Sequence, residues 1–374
     1  MSKQPKLFEE MKLGETEDRF SNLPNCLIGH ILSFLPTKYA VRTSVLSTKW
    51  KKMWTLISNL DFDDQLLTLH PPTNNSDQCK ASFMKFVYRV LLLLETSNVN
   101  KFRIRSCANF DVSYDVNSWV SASLSRSVRE IDLYLYIPLK GFDSSKRLFS
   151  GCPKLEDLAL RGCQWQNMSV LDISAPALNR LTIIDCETNT TSYTEFYEYR
   201  IELNTPSLLY LNYVDYVVGG YAMGKLNSLA QANIGFATSI DSFEEYYEIY
   251  YKSTTELAQR IANVHTLHLS NESIQGLLHC DHSQEFVDDW VPPNCVPSCL
   301  VFHLKIVDIR EFEGHEYEQK IVKYFLCNAK VRLLMAKEEK LEMQLVLGIF
   351  RRFDEGTNQH NSITVLVHNG YKVG

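Results

Sequence analysis

The sequence predicts an α/β protein in which a small N-terminal unit of three helices precedes a solenoid with a parallel sheet and an α/β C-terminal cap. Three observations support this prediction: an apolar helical stripe near the N-terminus, a spaced apolar pattern that recurs through the middle, and a strand–helix–strand pattern towards the end. At 374 residues the chain is long enough for two or three domains with substantial cores.

The first predicted helix rests on apolar residues that recur at steps of three and four positions. They are Leu23, Leu27, Ile28, Ile31, Leu32 and Leu35. Pro24 suits a first helical turn and Pro36 stops the helix, and Thr37 and Ser47 are predicted to cap two further short helices. Three short helices bury little surface by themselves. The unit therefore either docks on the rest of the chain or lies against a partner protein, and the spacing favours neither.

The middle of the chain repeats a unit with apolar residues at its first, fourth and sixth positions. Two copies are strict, Leu155/Leu158/Leu160 and Leu178/Leu181/Ile183, and looser copies begin at Val99, Val128, Leu208, Leu229 and Val264. This spacing is close to the period of leucine-rich repeats. Each unit predicts a short strand with alternate residues inward, and stacked strands bury the core that one unit cannot bury alone.

The same alternation predicts the side chains that point outward on the concave sheet. The candidate target-binding residues among them are Arg103, Arg105, Asp132, Tyr134, Arg161, Arg180, Tyr210, Asn212 and His268. This mixture of basic, acidic and aromatic side chains suits protein recognition better than the binding of one simple ion. A solvated surface without a ligand remains the alternative at each position. A phosphorylated partner at Arg103 and Arg105 is a further option, because arginine pairs bidentately with phosphate.

Composition excludes several classes of partner. A formal net charge of -6 and a pI near 6.0 argue against a nucleic-acid-binding protein. The longest aliphatic run, Val90 to Leu94, is too short to span a membrane, and the first residues lack the apolar region of a secretory signal. Ten cysteines scattered over the chain indicate reduced thiols, so we expect the protein in the cytoplasm and/or the nucleus.

No catalytic residue, metal ligand or cofactor is predicted. Five side chains of metal-binding type cluster in sequence, namely His279, Cys280, His282, Cys295 and Cys299. They lack the close paired spacing of a structural zinc site. A metal-binding or enzymatic solenoid is therefore only a minor alternative.

Residues Asp18 to Asp64 resemble the plant-type F-box. The resemblance rests on Leu23-Pro24, "HILSFLPTK", "TSVLS", the pair Trp50 and Trp54, and "LDFD", although Tyr39 stands where the family usually has an acidic residue. It implies docking on a Skp-family adaptor, which joins F-box proteins to a cullin and thereby to a ubiquitin ligase. By motif position, the implied adaptor contacts are Leu23, Pro24, Leu27, Ile28, Ile31, Leu32, Leu35 and Pro36.

Two further resemblances extend over most of the chain. The segment "FSGCPKLEDLALRGCQW" is similar to the leucine-rich-repeat consensus of plant F-box proteins, and "VPSCL", "HLK", Glu313-Gly314 and "KYFLCNAK" resemble their FBD region. The expected organisation is a flexible N-terminus over 1–17, an F-box over 18–64, a linker and helix over 65–96, a leucine-rich-repeat solenoid over 97–290, and an FBD-like cap over 291–374.

Together, these resemblances imply the substrate-recognition subunit of a Skp–cullin–F-box ubiquitin ligase. The F-box would dock on the adaptor, and the repeat sheet would recruit a protein target for ubiquitination. Such a subunit does no covalent chemistry itself. The alternative is an F-box protein that acts through binding outside any ligase.

Overall fold

The computed structural model describes residues 23–67, 76–106, 113–139, 149, 152–165, 170–185, 199–224, 226–236, 247–261, 263–270, 273, 306–312, 319–320, 322–324, 332–337 and 365–369, and every structural statement below concerns these residues. The helices are α1 (Asn25–Leu32), α2 (Thr37–Arg42), α3 (Asp64–Leu67), α4 (Ser76–Leu93), α5 (Ser113–Leu124) and α6 (Tyr247–Arg260). Two 3₁₀ segments, Thr43–Val45 and Trp50–Leu56, follow α2. Residues 23–58 are called the N-terminal module.

Eleven parallel strands form the main sheet. They are β1 (Asn59–Asp63), β2 (Lys101–Ser106), β3 (Glu130–Leu139), β4 (Asp157–Trp165), β6 (Arg180–Ile184), β8 (Tyr210–Asp215), β10 (Gln231–Phe236), β11 (Thr266–Leu269), β12 (Ile306–Phe312), β13 (Arg332–Lys337) and β14 (Val365–Asn369), in that spatial order. A smaller parallel sheet contains β5 (Val170–Ser174), β7 (Arg200–Asn204) and β9 (Gly220–Met223). The chain is thus a solenoid, as predicted.

All seven predicted repeats contribute a strand to the main sheet. In the two strict copies the three pattern positions are buried, as they are in the copy that begins at Leu229. The copy that begins at Val264 deviates only at Leu267, which is half-buried. The pattern predicts these strands because each one must hide its alternate residues beneath its neighbours.

The sheet extends past the predicted repeats at both ends. β1 lies inside the segment that resembles the F-box, and it pairs in parallel with β2. β12, β13 and β14 continue the sheet at the C-terminal end, where the α/β cap was predicted. The N-terminal module and the solenoid therefore share one sheet.

Two hydroxyl groups of the N-terminal module accept hydrogen bonds at the residue that precedes β1 and on β1 itself. The Ser58 N–H donates to Ser33 Oγ at 2.9 Å, and the Asp61 N–H donates to Thr37 Oγ1 at 2.8 Å. The prediction that Thr37 caps the second helix is wrong, because Pro36 occupies the cap position and the Thr37 hydroxyl is used by β1. The third predicted helix is the 3₁₀ segment Trp50–Leu56.

One continuous core runs from the module into the solenoid. Ile28, Leu32 and Ile57 are buried in the same cluster as Leu60 and Phe62 of β1. The Phe62 ring meets the rings of Phe86 on α4 and Phe102 on β2, with centroids 6.0 and 6.1 Å apart. The module is therefore packed against the solenoid as part of one hydrophobic interior.

A close contact between α1 and the 3₁₀ segment gives a stability prediction. A Cβ at Gly29 would lie 2.9 Å from Leu56 Cβ and 3.1 Å from the Leu56 carbonyl oxygen. Replacing glycine by alanine inside an unhindered helix stabilises it by about 1 kcal/mol. We expect Gly29→Ala instead to lower the free energy of unfolding by about 1–3 kcal/mol in urea titrations, because the crowding opposes the gain.

Gly224→Ala is the matched control. Its Cβ would lie 3.5 Å from the Leu203 carbonyl oxygen, which is an ordinary contact. We expect the free energy of unfolding to change by less than about 0.5 kcal/mol. A Gly29→Ala protein as stable as the control would show that α1 does not pack tightly on the 3₁₀ segment.

Candidate functional site

Helix α1 has two apolar faces with different environments. Ile28 and Leu32 are 0% and 2% exposed, whereas Leu27 and Ile31 are 48% and 45% exposed. Neighbouring residues of a helix differ in direction by about 100°, so one apolar stripe can divide between two surfaces. The assignment of Ile28 and Leu32 to an adaptor contact is therefore corrected: both side chains belong to the chain's own core and are out of a partner's reach.

The N-terminal module carries a set of exposed apolar residues that we call the apolar ridge. It comprises Leu27, Ile31, Phe34, Leu35, Tyr39, Val45 and Leu46. These seven residues are the majority of the eleven large apolar side chains that are exposed in the described part of the chain. Of the other predicted contacts, Pro24 is exposed, and Leu23 and Pro36 are half-buried. A concentration of exposed apolar residues marks an interaction surface.

Four members of the apolar ridge were not predicted as contacts. Phe34, Tyr39, Val45 and Leu46 lie beyond or outside the helical stripe that the sequence analysis followed. Phe34 is 73% exposed and Val45 84% exposed, which makes them more accessible than any residue of α1 in the ridge. The motif "TSVLS" could have revealed Val45 and Leu46, and the motif "HILSFLPTK" could have revealed Phe34. Both motifs belong to the resemblance, but these residues do not follow the helical periodicity.

The nine predicted target-binding residues all lie on outward-facing strand positions. Arg180 is exposed, and the other eight are half-buried. The parallel register places Arg103 beside Asp132, and Arg105 beside Tyr134. The structure therefore brings these side chains together in rows that cross the strands.

In the first half of the main sheet the outward charges pair with one another. Arg103 lies between Asp61 and Asp132, at 3.4 and 3.6 Å, and Asp132 also pairs with Arg161. Lys101 pairs with Glu130 at 3.2 Å. Arg103 is therefore already held by two carboxylates, which disfavours the phosphate-binding hypothesis at this position.

Two further arginines in the first half of the main sheet lie over aromatic rings. The Arg105 guanidinium lies 5.1 Å from the centroid of the Tyr134 ring, and that of Arg180 lies 4.9 Å from the Tyr210 ring. Arg180 also forms an ion pair with Asp157 at 3.4 Å. Such contacts fix long side chains in place and leave a rigid surface.

From β8 onward, side-chain amides replace most of the charged groups on the outward surface of the main sheet. The Asn233 amide donates to Asn212 Oδ1 at 2.6 Å. His268 lies between Gln231, at 3.1 Å from its Nε2, and Asp308, at 2.9 Å from its Nδ1. A side-chain amide has two N–H donors and one oxygen acceptor. An amide that forms one hydrogen bond with a neighbour can therefore form others with a ligand.

Asp308 was not predicted as a partner of His268. It lies on β12, in the segment that the sequence analysis assigned to the cap. Its register beside His268 follows from the extension of the main sheet, which the repeat pattern did not reach.

The search for metal and membrane sites covers only part of the sequence. The residues from His279 to Cys299 lie outside the described residues. Within the described ranges no group of three or more His, Cys, Asp or Glu side chains is arranged to hold a metal ion. None of the described helices is both long and apolar enough to cross a bilayer.

Burial on the concave sheet gives a pH prediction. It raises the pKa of Asp61 above its ordinary value, although Arg103 acts in the opposite direction. The folded chain therefore binds a proton at this carboxyl more readily than the unfolded chain does. The contribution of Asp61 to the free energy of unfolding is thus most favourable at low pH. This contribution is lost as the pH rises through the raised pKa.

We expect Asp61→Asn to match the wild type in free energy of unfolding near about pH 3, where the carboxyl is protonated. Near about pH 7 the variant should be the more stable one, by less than about 1 kcal/mol because the pair is partly exposed. Urea titrations at both pH values measure the difference. A variant that is less stable than the wild type at the higher pH would show that attraction to Arg103 outweighs burial.

Comparisons with known proteins agree with this architecture. The family model of the F-box domain matches residues 20–62, and that of the FBD region matches residues 292–331. The F-box/LRR-repeat protein At3g59200 of Arabidopsis thaliana is 33% identical over 329 residues, which cover 71% of this chain and 61% of that protein. The F-box/LRR-repeat protein At4g14103 of the same plant is 32% identical over 327 residues, which cover 72% of this chain and 83% of that protein.

The chain thus spans less than two thirds of the first of these relatives and most of the second. Both carry the F-box and repeat designation in their names, and the matched lengths cover most of the sequence. On the strength of the two domain matches, the parallel solenoid and these relatives, the chain belongs to the family of F-box/LRR-repeat proteins.

Proposed function

We propose that the chain is the substrate-recognition subunit of a Skp–cullin–F-box ubiquitin ligase. F-box domains generally bind Skp-family adaptors. The observation that carries the proposal is the apolar ridge, which stays exposed while the other face of the same module is sealed against the solenoid. Covering a surface of this composition with a partner removes apolar area from water, which favours binding.

The ridge has the features of a protein-binding surface. Its most exposed members are Phe34, Val45 and Leu46. The transfer of these large apolar side chains out of water is favourable. The His30 ring packs edge-on against Phe34, with centroids 5.0 Å apart, and holds it in place. Side chains that are already held lose less conformational entropy when a partner binds.

The concave sheet is the proposed target-binding surface. We assign recognition to its amide-rich half, from β8 to β12, because the charges of the first half are mutually compensated. Asn212, Asn233 and Gln231 offer hydrogen bonds to a protein target. Hydrogen bonds of this kind give specificity, since a wrong target leaves buried amides unpaired.

The subunit would act by proximity. It holds the target near the enzyme that transfers ubiquitin and so raises the effective concentration of the two reactants. None of its own side chains is assigned a covalent step. We place this activity in the cytoplasm and/or the nucleus, and the free thiols of Cys26, Cys152 and Cys163 agree with a reducing compartment.

The two faces of α1 allow a matched test of adaptor binding. We expect Ile31→Asp to fold normally and to lose adaptor binding by at least about 100-fold, because a charge enters the covered interface. Leu32→Asp should instead unfold the protein, because Leu32 is in the core. Circular dichroism reports the fold, and calorimetry with a purified Skp-family adaptor reports binding.

Leu92→Asp provides the surface control. Leu92 is 82% exposed on α4, outside the N-terminal module, and its substitution should leave adaptor binding unchanged. Folded Ile31→Asp protein that binds the adaptor with wild-type affinity would remove the apolar ridge from the interface.

Reconstituted ubiquitination separates the proposal from an F-box protein that acts outside a ligase. Targets are first identified by purification with the Ile31→Asp variant, on which they should accumulate because they are not degraded. With wild-type chain, adaptor, cullin and the transferring enzymes, we expect ubiquitin to be attached to a captured target. The Asn212→Ala/Asn233→Ala variant should reduce this modification at least about 10-fold, because each lost hydrogen bond weakens capture.

The control for this experiment is Ser82→Ala, at an exposed position on α4. It should leave modification unchanged. Capture of a target without ubiquitin transfer in the complete mixture would favour the binding protein outside a ligase.

A further inference from the structure

The N-terminal module has a charge that is opposite to that of the whole chain. Between Leu23 and Ser58 there are five basic residues and no Asp or Glu, so the module carries a formal charge of +5. They are Lys38, Arg42, Lys49, Lys51 and Lys52. The chain as a whole has a charge of -6, and the residues outside the module therefore carry -11. The positive charge is concentrated where the apolar ridge lies.

The basic residues lie on the same short elements as the apolar ridge or on elements packed against them. The 3₁₀ segment that carries Lys51 and Lys52 packs against α1 on one side and against the Thr43–Val45 segment on the other. Lys49 Nζ donates to the Leu23 carbonyl oxygen at 3.4 Å, which places this ammonium at the beginning of α1. Arg42 follows Tyr39 of the ridge by one helical turn.

Three of these charges are available to a partner. Arg42, Lys51 and Lys52 are exposed, and within the described residues none of the three forms an ion pair. The basic residues of the concave sheet behave differently, because Lys101, Arg103 and Arg180 each face a carboxylate. Exposed basic groups that form no ion pair within the described ranges produce a positive potential that extends into the solvent.

We propose that Arg42, Lys51 and Lys52 form a steering surface for an acidic protein, the Skp-family adaptor, and that the adaptor carries carboxylates around the site that receives the apolar ridge. This inference rests on the proposed function. Rim charges of this kind accelerate encounter and orient the partner, while the apolar contacts at the centre determine how long the complex lasts. In this arrangement the basic residues control the rate of association, and the apolar residues control the rate of dissociation.

The test measures association kinetics between the full chain and a purified Skp-family adaptor. The NaCl concentration is raised from about 0.1 M to about 1 M, over which the screening length falls from about 10 Å to about 3 Å. We expect the association rate constant of the wild type to fall at least about 10-fold over this range. The dissociation rate constant should change less than about 2-fold.

A charge-reversed variant locates the effect. Lys51→Glu/Lys52→Glu should lower the association rate constant about 10-fold at the lowest salt and should remove most of its salt dependence. Lys154→Glu/Lys252→Glu changes the net charge of the chain by the same amount at exposed positions outside the module. This control should stay within about 2-fold of the wild type at every salt concentration.

The outcomes separate the inference from the proposed function. Tight adaptor binding with an association rate that neither salt nor the Lys51/Lys52 substitutions change overturns the steering surface and leaves the adaptor assignment standing. Failure of the wild-type chain to bind the adaptor at any salt concentration overturns both. Binding to phosphatidylserine vesicles that the variant loses, with unchanged adaptor kinetics, assigns the basic groups to lipid and also overturns the inference.

Discussion

The structure depends on the closure of the first strand of the main sheet. A repeat strand buries its apolar side chains only beneath its neighbours, and β1 has a strand on one side alone. The N-terminal module supplies the missing cover: the hydroxyls of Ser33 and Thr37 accept N–H groups at the outer edge, and Leu32 continues the core. An open edge would also invite pairing with other chains. The F-box region is therefore the N-terminal cap of the solenoid, and it also carries the exposed apolar ridge.

This double use explains why α1 is apolar on two sides. The face that holds Ile28 and Leu32 is required for folding, and the face that holds Leu27 and Ile31 is not required by any contact within the described chain. An exposed leucine costs little folding free energy but weakens solubility, so a run of such residues indicates an external use. The same short helix thereby contributes both to the core of the solenoid and to the exposed apolar ridge.

Much of the solenoid could be predicted from the sequence, because burial at every second position requires apolar residues to alternate with polar ones. The strands that contain Leu158 and Leu181, and the outward positions between their buried residues, could be predicted in this way. The division of α1 could not be predicted, since Leu27 and Ile28 are equally apolar and only tertiary packing separates them. Nor could β1 be predicted as a strand of the sheet, because its residues are part of a motif that resembled an independent domain.

The shared sheet also fixes the distance between the two interaction surfaces. In the strand order, β8 lies five positions from β1, which is roughly 24 Å along the sheet at about 4.8 Å per strand. A flexible linker of similar reach would spread a bound target over many positions and dilute it near the transferring enzyme. Between the ridge and the amide-rich half, the outward side chains of neighbouring strands form ion pairs with one another. Under the proposed function these strands would serve as a spacer, so a target held at Asn212 and Asn233 would have a defined position relative to the adaptor.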